Sequence, residues 1–210
     1  LQYLQVSITL TTVSTAPGLR ERKKAGTRLA IARAALRLAV EHGPDAVTVD
    51  AIADEAGVSP RTVFNYFATK EEAIVGFDPH RSVEIADAVR DRPAREAPLT
   101  AVRTVFIDIA TATPEAAELA RARVALIREY PELHRSYLAS TSSLENELVD
   151  AIAQRTGLDP ERSSYPRLVV STAIAAFRIA LGRAGHGEAA VAAAIDEAFD
   201  SLASGLRPPR

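Results

Sequence analysis

The sequence predicts an all-α protein in two parts, an N-terminal three-helix helix-turn-helix domain followed by a larger C-terminal helical domain. Three observations carry this. Alanine supplies about a fifth of the 210 residues, aromatics are 5 %, and Trp and Met are absent, a composition with high helix propensity and little to build strands from. Prolines stand at the expected element boundaries, in Asp78-Pro79, Arg92-Pro93, Ala97-Pro98, Thr113-Pro114, Tyr130-Pro131 and Asp159-Pro160. Charge is unevenly divided behind an overall value of -2. Residues 20–70 carry nine Lys/Arg against six Asp/Glu, a net of +3, and residues 71–210 carry sixteen against twenty-one, a net of -5.

Several function classes are excluded or disfavoured at once. With no Cys there is no disulfide framework, no thiolate nucleophile and no Cys-based metal site. No apolar run reaches the length of a membrane span. The four histidines, at 42, 80, 134 and 186, lack metal-ligand spacing, and neither a G-x-S-x-G, a phosphate-binding glycine loop nor an H-E-x-x-H occurs. No enzyme, cofactor or metal is therefore expected, and the expected location is cytoplasmic.

Residues 1–19 have no charge and no helical period, and lack the basic n-region and cleavage site of a secretory signal. They are expected to form a flexible tail, followed by the helix-turn-helix domain over 20–77 and the helical domain over 78–210. The run RERKKAGTR at 20–28 holds five cations directly before the first strong helix. Cations there oppose the helix dipole, so an arm reaching for a polyanion, through Arg22, Lys23, Lys24 and Arg28, explains them better than a solvated helix start.

Leu29, Ala32, Leu36, Ala39 and Val40 define one face of the first helix, which His42-Gly43-Pro44 stops. Thr48 suits the N-cap of a short second helix with Val49, Ile52, Ala53 and Ala56 inward. Gly57 and Val58 then lead to Ser59, the cap of a third helix with Pro60 at its first position and Val63 and Phe67 inward. That leaves Ser59, Pro60, Arg61, Thr62, Asn65 and Tyr66 outward. This face is rich in hydrogen-bonding groups, which can reach base edges and phosphates. Thr69 and Glu72 form a capping box for the fourth helix, with Lys70 in its first turn. A phosphate docked on that terminus would make the placement of Lys70 favourable.

The ordered set RLAIARAALRLAVEHGPDAVTVDAIADEAGVSPRTVFNYFATKEEAI resembles the N-terminal domain of TetR/AcrR-type bacterial transcriptional regulators, over roughly residues 24–77. The resemblance implies a homodimer binding a near-palindromic double-stranded operator, usually as a repressor, and a C-terminal ligand-binding and dimerisation domain for a small-molecule effector. It implies that Thr48 caps the second helix against a phosphate, that Ser59–Tyr66 is the recognition helix, and that Lys70 contacts the backbone. Phe64 stands where the family often has Tyr, which removes a hydroxyl contact. Asp50 argues against a base contact from the second helix.

Beyond Phe77, helices are expected near 81–91, 99–112, 115–129, 131–156, 160–184 and 188–205. Leu168, Thr172, Ala175 and Ile179, and then Val191, Ile195, Ala198 and Leu202, repeat the offsets 0, 4, 7 and 11 on alanine-rich helices. These faces suit either the core of one subunit or, as the resemblance implies, a four-helix dimer seam. Phe106, Tyr137 and Phe177 are candidate pocket walls or plain core. Arg123, sharing a helix edge with Ile127, either holds an anionic ligand group inside or lies on the surface.

Overall fold

The computed structural model describes residues 19–206, with side chains from Lys23 onward. Residues 1–18 of the expected tail and the side chain of Arg22 lie outside them. The described residues form ten α-helices and one 3-10 turn (Pro44–Ala46), without strands. In order, the helices are α1 (Leu19–His42), α2 (Val49–Ala56), α3 (Pro60–Tyr66), α4 (Lys70–Val75), α5 (Pro79–Arg90) and α6 (Pro98–Ala110). They continue as α7 (Pro114–Glu129), α8 (Pro131–Thr156), α9 (Tyr165–Arg183) and α10 (Glu188–Ala203).

Local chemistry sets most of these boundaries. The Thr48, Ser59, Thr69 and Thr113 hydroxyls each accept from the backbone N–H three residues on, and Asp78 accepts from His80 N. Gly57 and Gly76 close α2 and α4 in the left-handed conformation, at φ 66° and 64°. The capping box at α4 is displaced by one residue: Thr69 accepts from Glu72 N, but the Glu72 carboxylate accepts from Ala68 N. α9 begins at Tyr165 rather than near 160, because Asp159 organises a turn by accepting from Glu161 N through its side chain and from Ser163 N through its carbonyl.

Two hydrophobic cores result. One lies wholly in the C-terminal part, between α5, α6, α7, α8, α9 and α10, with Phe106, Leu148, Ile152, Val170, Ile195 and Phe199 at its centre. The other joins α1–α4, around Ile31, Leu36, Ile52, Val63, Phe67 and Ile74, and is completed by Ile127 of α7 and Leu133 of α8. The inner face of α1 also differs from its simplest periodic reading. Ala32, Leu36 and Ala39 are buried, but Leu29 and Val40 are exposed, and Ile31, Ala34 and Ala35 take their place.

Arginines fix the ends of the C-terminal helices. Arg103 of α6 donates to Asp196 and Asp200 of α10, both at 2.6 Å. Arg155 of α8 donates to five carbonyls at the end of α5 and in the α5–α6 connection: Val89, Arg90, Arg92, Pro93 and Glu96. Such bonds to a charged donor are among the stronger ones, and the loop carbonyls have no helical partners. Arg155→Met is expected to lower stability by about 2–4 kcal/mol in urea denaturation, while Arg162→Met, at an exposed ion pair, stays within about 0.5 kcal/mol.

Candidate nucleic-acid interface and effector groove

The N-terminal surface is organised around α3. Pro60 opens it where a missing N–H costs nothing, and Val63 and Phe67 anchor it to the core. Arg61 and Asn65 are exposed on its outer side with Ser59, Pro60 and Phe64. Thr62 is half-buried, and its hydroxyl bonds that of Ser59 at 2.8 Å. Tyr66 is half-buried against the core. The most available readers on this helix are thus Arg61 and Asn65, one turn apart on one face. Thr48 accepts from Ala51 N and remains exposed.

Two of the candidate cations, Arg28 and Lys70, behave otherwise than DNA-facing groups would. The run 20–28 is not an arm before the helix, since α1 already includes it. Lys23 and Lys24 are exposed on it. Arg28 is a structural pin: its guanidinium donates to Phe77 O at 2.7 Å and to Tyr66 O, lies 3.7 Å from Asp78 Oδ1, and stacks over the Phe67 ring at 4.1 Å. Burial holds this guanidinium below the ordinary arginine range, against the opposing pull of Asp78 and Glu72. Lys70 donates to the carbonyls of Pro44, Asp45 and Val47 at 3.0, 3.2 and 2.9 Å. These bonds use the three protons of its ammonium, so it ties α4 to the α1–α2 turn rather than standing free for a phosphate.

In the C-terminal part the aromatic candidates divide. Phe106 packs on Phe177 at 4.7 Å and on Phe199 at 6.4 Å, and only 4 % of Phe106 is exposed. Phe106 and Phe177 thus pack in the C-terminal core, and neither lines the groove between α7, α8 and α9. Tyr137 packs on the N-terminal core, and burial raises its hydroxyl pKa. Ile127 does line a groove, of about 760 Å³, between α7, α8 and α9, a volume typical of small-molecule sites. Val124, Pro131, Ile179 and Gly182 contribute apolar wall, and Arg128, Arg135, Arg178 and Arg183 surround it with His134. These arginines were not singled out by sequence reasoning, because they come from three helices and meet only in the fold.

Arg123 points elsewhere. It reaches the end of α4, where its Nη2 would stand 3.3 Å from a Cβ placed on Gly76. Its Nε is buried without a partner, and no acid pairs with it among the described residues. Desolvation, with Arg81 nearby, lowers its pKa to about 10.

The two candidate seam faces are unlike each other. On α9, Leu168 and Ile179 are 58 % and 57 % exposed, Thr172 is exposed and Ala175 half-buried. On α10, Val191 and Ile195 are completely buried, and Ala198 and Leu202 pack against the same core. The α10 face is thus the inside of the protomer, because it meets α9 and α6 of the same chain.

Known proteins with this arrangement decide the family. A curated relative, "HTH-type transcriptional regulator TcmR" of Streptomyces glaucescens, is 35 % identical over 198 residues, covering 89 % of this chain and 87 % of its own. The chain belongs to the TetR family of transcriptional regulators. Its residues 31–74 match the family "Bacterial regulatory proteins, tetR family", and residues 96–207 match the "MftR C-terminal domain". Solved structures share its fold. The fatty acid degradation regulator FadR of Bacillus halodurans has a TM-score of 0.56 at 18 % identity, over 87 % of this chain and 97 % of its own. Thermus thermophilus FadR, a TetR-family repressor solved with lauroyl-CoA, has a TM-score of 0.51 at 22 % identity, over 87 % and 96 %. The protein is a TetR-family transcriptional regulator with a DNA-binding N-terminal domain.

The buried contacts separate structural cations from exposed ones. Arg28→Ala is expected to cost about 2–4 kcal/mol of stability in chemical denaturation, whereas Lys23→Ala and Lys24→Ala should each stay within about 0.5 kcal/mol. Arg123→Met is expected to leave the melting temperature unchanged or raise it, because the substitution removes an unpaired buried charge and keeps the volume. A drop of several degrees would show that this guanidinium has a stabilising partner.

Proposed function

We propose that the protein is a homodimeric repressor whose two α3 helices enter successive major grooves of a near-palindromic operator, about 34–36 Å apart. The observation that carries this is the exposure of Arg61 and Asn65 on a capped recognition helix whose opposite side is locked into the core. Arg61 suits a bidentate contact to guanine and Asn65 one to adenine. Ser59, Thr62 and Tyr66 complete the outer face, Thr48 approaches a phosphate at the start of α2, and Lys23 and Lys24 supply backbone attraction. Arg28 and Lys70 act indirectly, by holding α3 and α4 where they can dock.

The exposed side of α9, from Leu168 through Thr172 and Ala175 towards Ile179, supplies the subunit contact. Two apolar side chains more than half exposed on one helix are an unusual surface for a lone protomer and an ordinary one for a two-fold seam. The groove beside it takes the small-molecule effector. α7 lines that groove with Val124, Ile127 and Arg128 and touches the end of α4 with Arg123. Effector binding thereby favours a dimer whose recognition helices no longer match the operator. The α7 contact is compatible with the opposite sign as well, giving an activator of the same fold.

Two measurements test the reading. In binding titrations against operator and random DNA, Arg61→Ala is expected to cost roughly 1–3 kcal/mol on the operator and to relax preference at one base pair. Lys23→Ala should weaken both DNAs alike and reduce the salt slope by about one unit. Equal losses on both DNAs for Arg61→Ala would exclude it as a reader. Leu168→Glu combined with Ile179→Glu should yield monomers in analytical ultracentrifugation and abolish tight operator binding, and a persistent dimer would place the seam elsewhere.

A further inference from the structure

We propose that the groove between α7, α8 and α9 takes a lipophilic anion, with a carboxylate or phosphate held by Arg128, Arg178 and Arg183 and an apolar body laid on Val124, Ile127 and Pro131. The inference rests on the reading of this groove as the effector site.

Charge carries the argument. Four arginines line the groove and no acid does, although residues 71–210 as a whole carry a net of -5. Elsewhere in the C-terminal part several arginines are matched: Arg90 with Asp87, Arg92 with Glu96, Arg103 with Asp196 and Asp200, and Arg121 with Glu118. Arg81, Arg95 and Arg123, which have no carboxylate within 4.0 Å among the described residues, lie outside the groove. In the groove, Arg135 has Glu132 at 3.1 Å. Arg128, Arg178 and Arg183 have no carboxylate within 4.0 Å among the described residues. Like charges gathered in a cleft with low-dielectric walls repel one another and focus a positive potential, which an anion relieves. Arg178 is half-buried while Arg128 and Arg183 are exposed, so the cations extend from the wall to the rim. The apolar wall favours a body larger than a bare inorganic ion.

A second copy of this chain fits the groove poorly. A two-fold contact laid directly on it would set arginine against arginine, whereas the face of α9 running from Leu168 to Ile179, which borders the groove, offers an apolar contact without that repulsion. The groove is therefore left to a small ligand.

The experiment uses the full chain and titration calorimetry with four ten-carbon probes below their micellar range: decanoate, decyl phosphate, decanol and decyltrimethylammonium. Decanoate or decyl phosphate should bind at least tenfold more tightly than decanol, the stronger of the two identifying the head group, and the cation should bind most weakly. In Arg178→Gln/Arg183→Gln the preference should collapse to within about twofold of decanol, with decanol itself unchanged. Gly182→Leu fills the groove from its wall, and its Cβ has room, the nearest neighbouring atom being Val124 Cγ1 at 3.7 Å. All binding should be lost in that variant. If decanol and decanoate bind equally and Gly182→Leu blocks both, the anion preference is overturned while the groove stands as the site. An anion preference that survives loss of both arginines overturns their assignment. If no probe binds, or binding ignores Gly182→Leu, the groove reading itself fails and the present inference with it.

Discussion

Helices of six to eight residues cannot sustain themselves in water, and α2, α3 and α4 are of that length. Everything the N-terminal part does depends on supplying them with a core from elsewhere. α1 provides most of it, through Ile31, Ala35 and Leu36, and the C-terminal part provides the remainder, through Ile127 and Leu133. Around this core the unusual polar contacts make sense. Arg28 and Lys70 neutralise carbonyls left over where short helices and turns end, namely those of Tyr66, Phe77, Pro44, Asp45 and Val47. Cations that would suit a nucleic acid are used instead to finish the backbone accounts of the fold that presents one.

The same sharing makes α7 the natural connection between the two ends of the molecule. Its residues face three environments: Ala117 lies in the C-terminal core, Ile127 in the N-terminal core, and Arg128 on the groove. Glu118 meanwhile fastens α7 to the start of α10, accepting from Gly187 N and pairing with His186 and Arg121, with a pKa held low chiefly by the backbone bond. A helix fixed at its N-terminal end and lined by a groove near its other end has limited ways to respond to an occupant. On the proposed effector reading, displacement near Ile127 would reach α1–α4 through the core they share with it.

Much of the fold was legible because its signals are local. Caps at Thr48, Ser59 and Thr69, and prolines at the first helical positions, follow from hydrogen-bond accounting that any sequence displays. The boundaries of α6, α7, α8 and α10 fall within two residues of their expected places. The errors concern partners distant in sequence. Arg28 looks like a free cation until Phe77, forty-nine residues away, supplies a carbonyl. Val191 and Ile195 have the spacing of a seam, but periodicity names a buried face without naming whose neighbour buries it. Phe106 and Phe177 share one core with Phe199, and Arg128 and Arg178 share one groove, across separations that no spacing rule connects.

The interruption between α4 and α5 has a mechanical consequence. Gly76 ends one helix in the left-handed conformation, where an added Cβ would come within 3.1 Å of Ala32, and Asp78 and Pro79 start the next. An unbroken rod would transmit rotation along its axis. Here the backbone turns at Phe77, whose carbonyl is held from α1 by Arg28, so α4 and α5 are separate elements joined by a pinned corner. In the proposed dimer the separation of the two recognition helices would then depend on that corner together with Ile127 and Leu133, which seat the N-terminal core on α7 and α8. The tolerated spacer between operator half-sites would be decided at these contacts, far from any base.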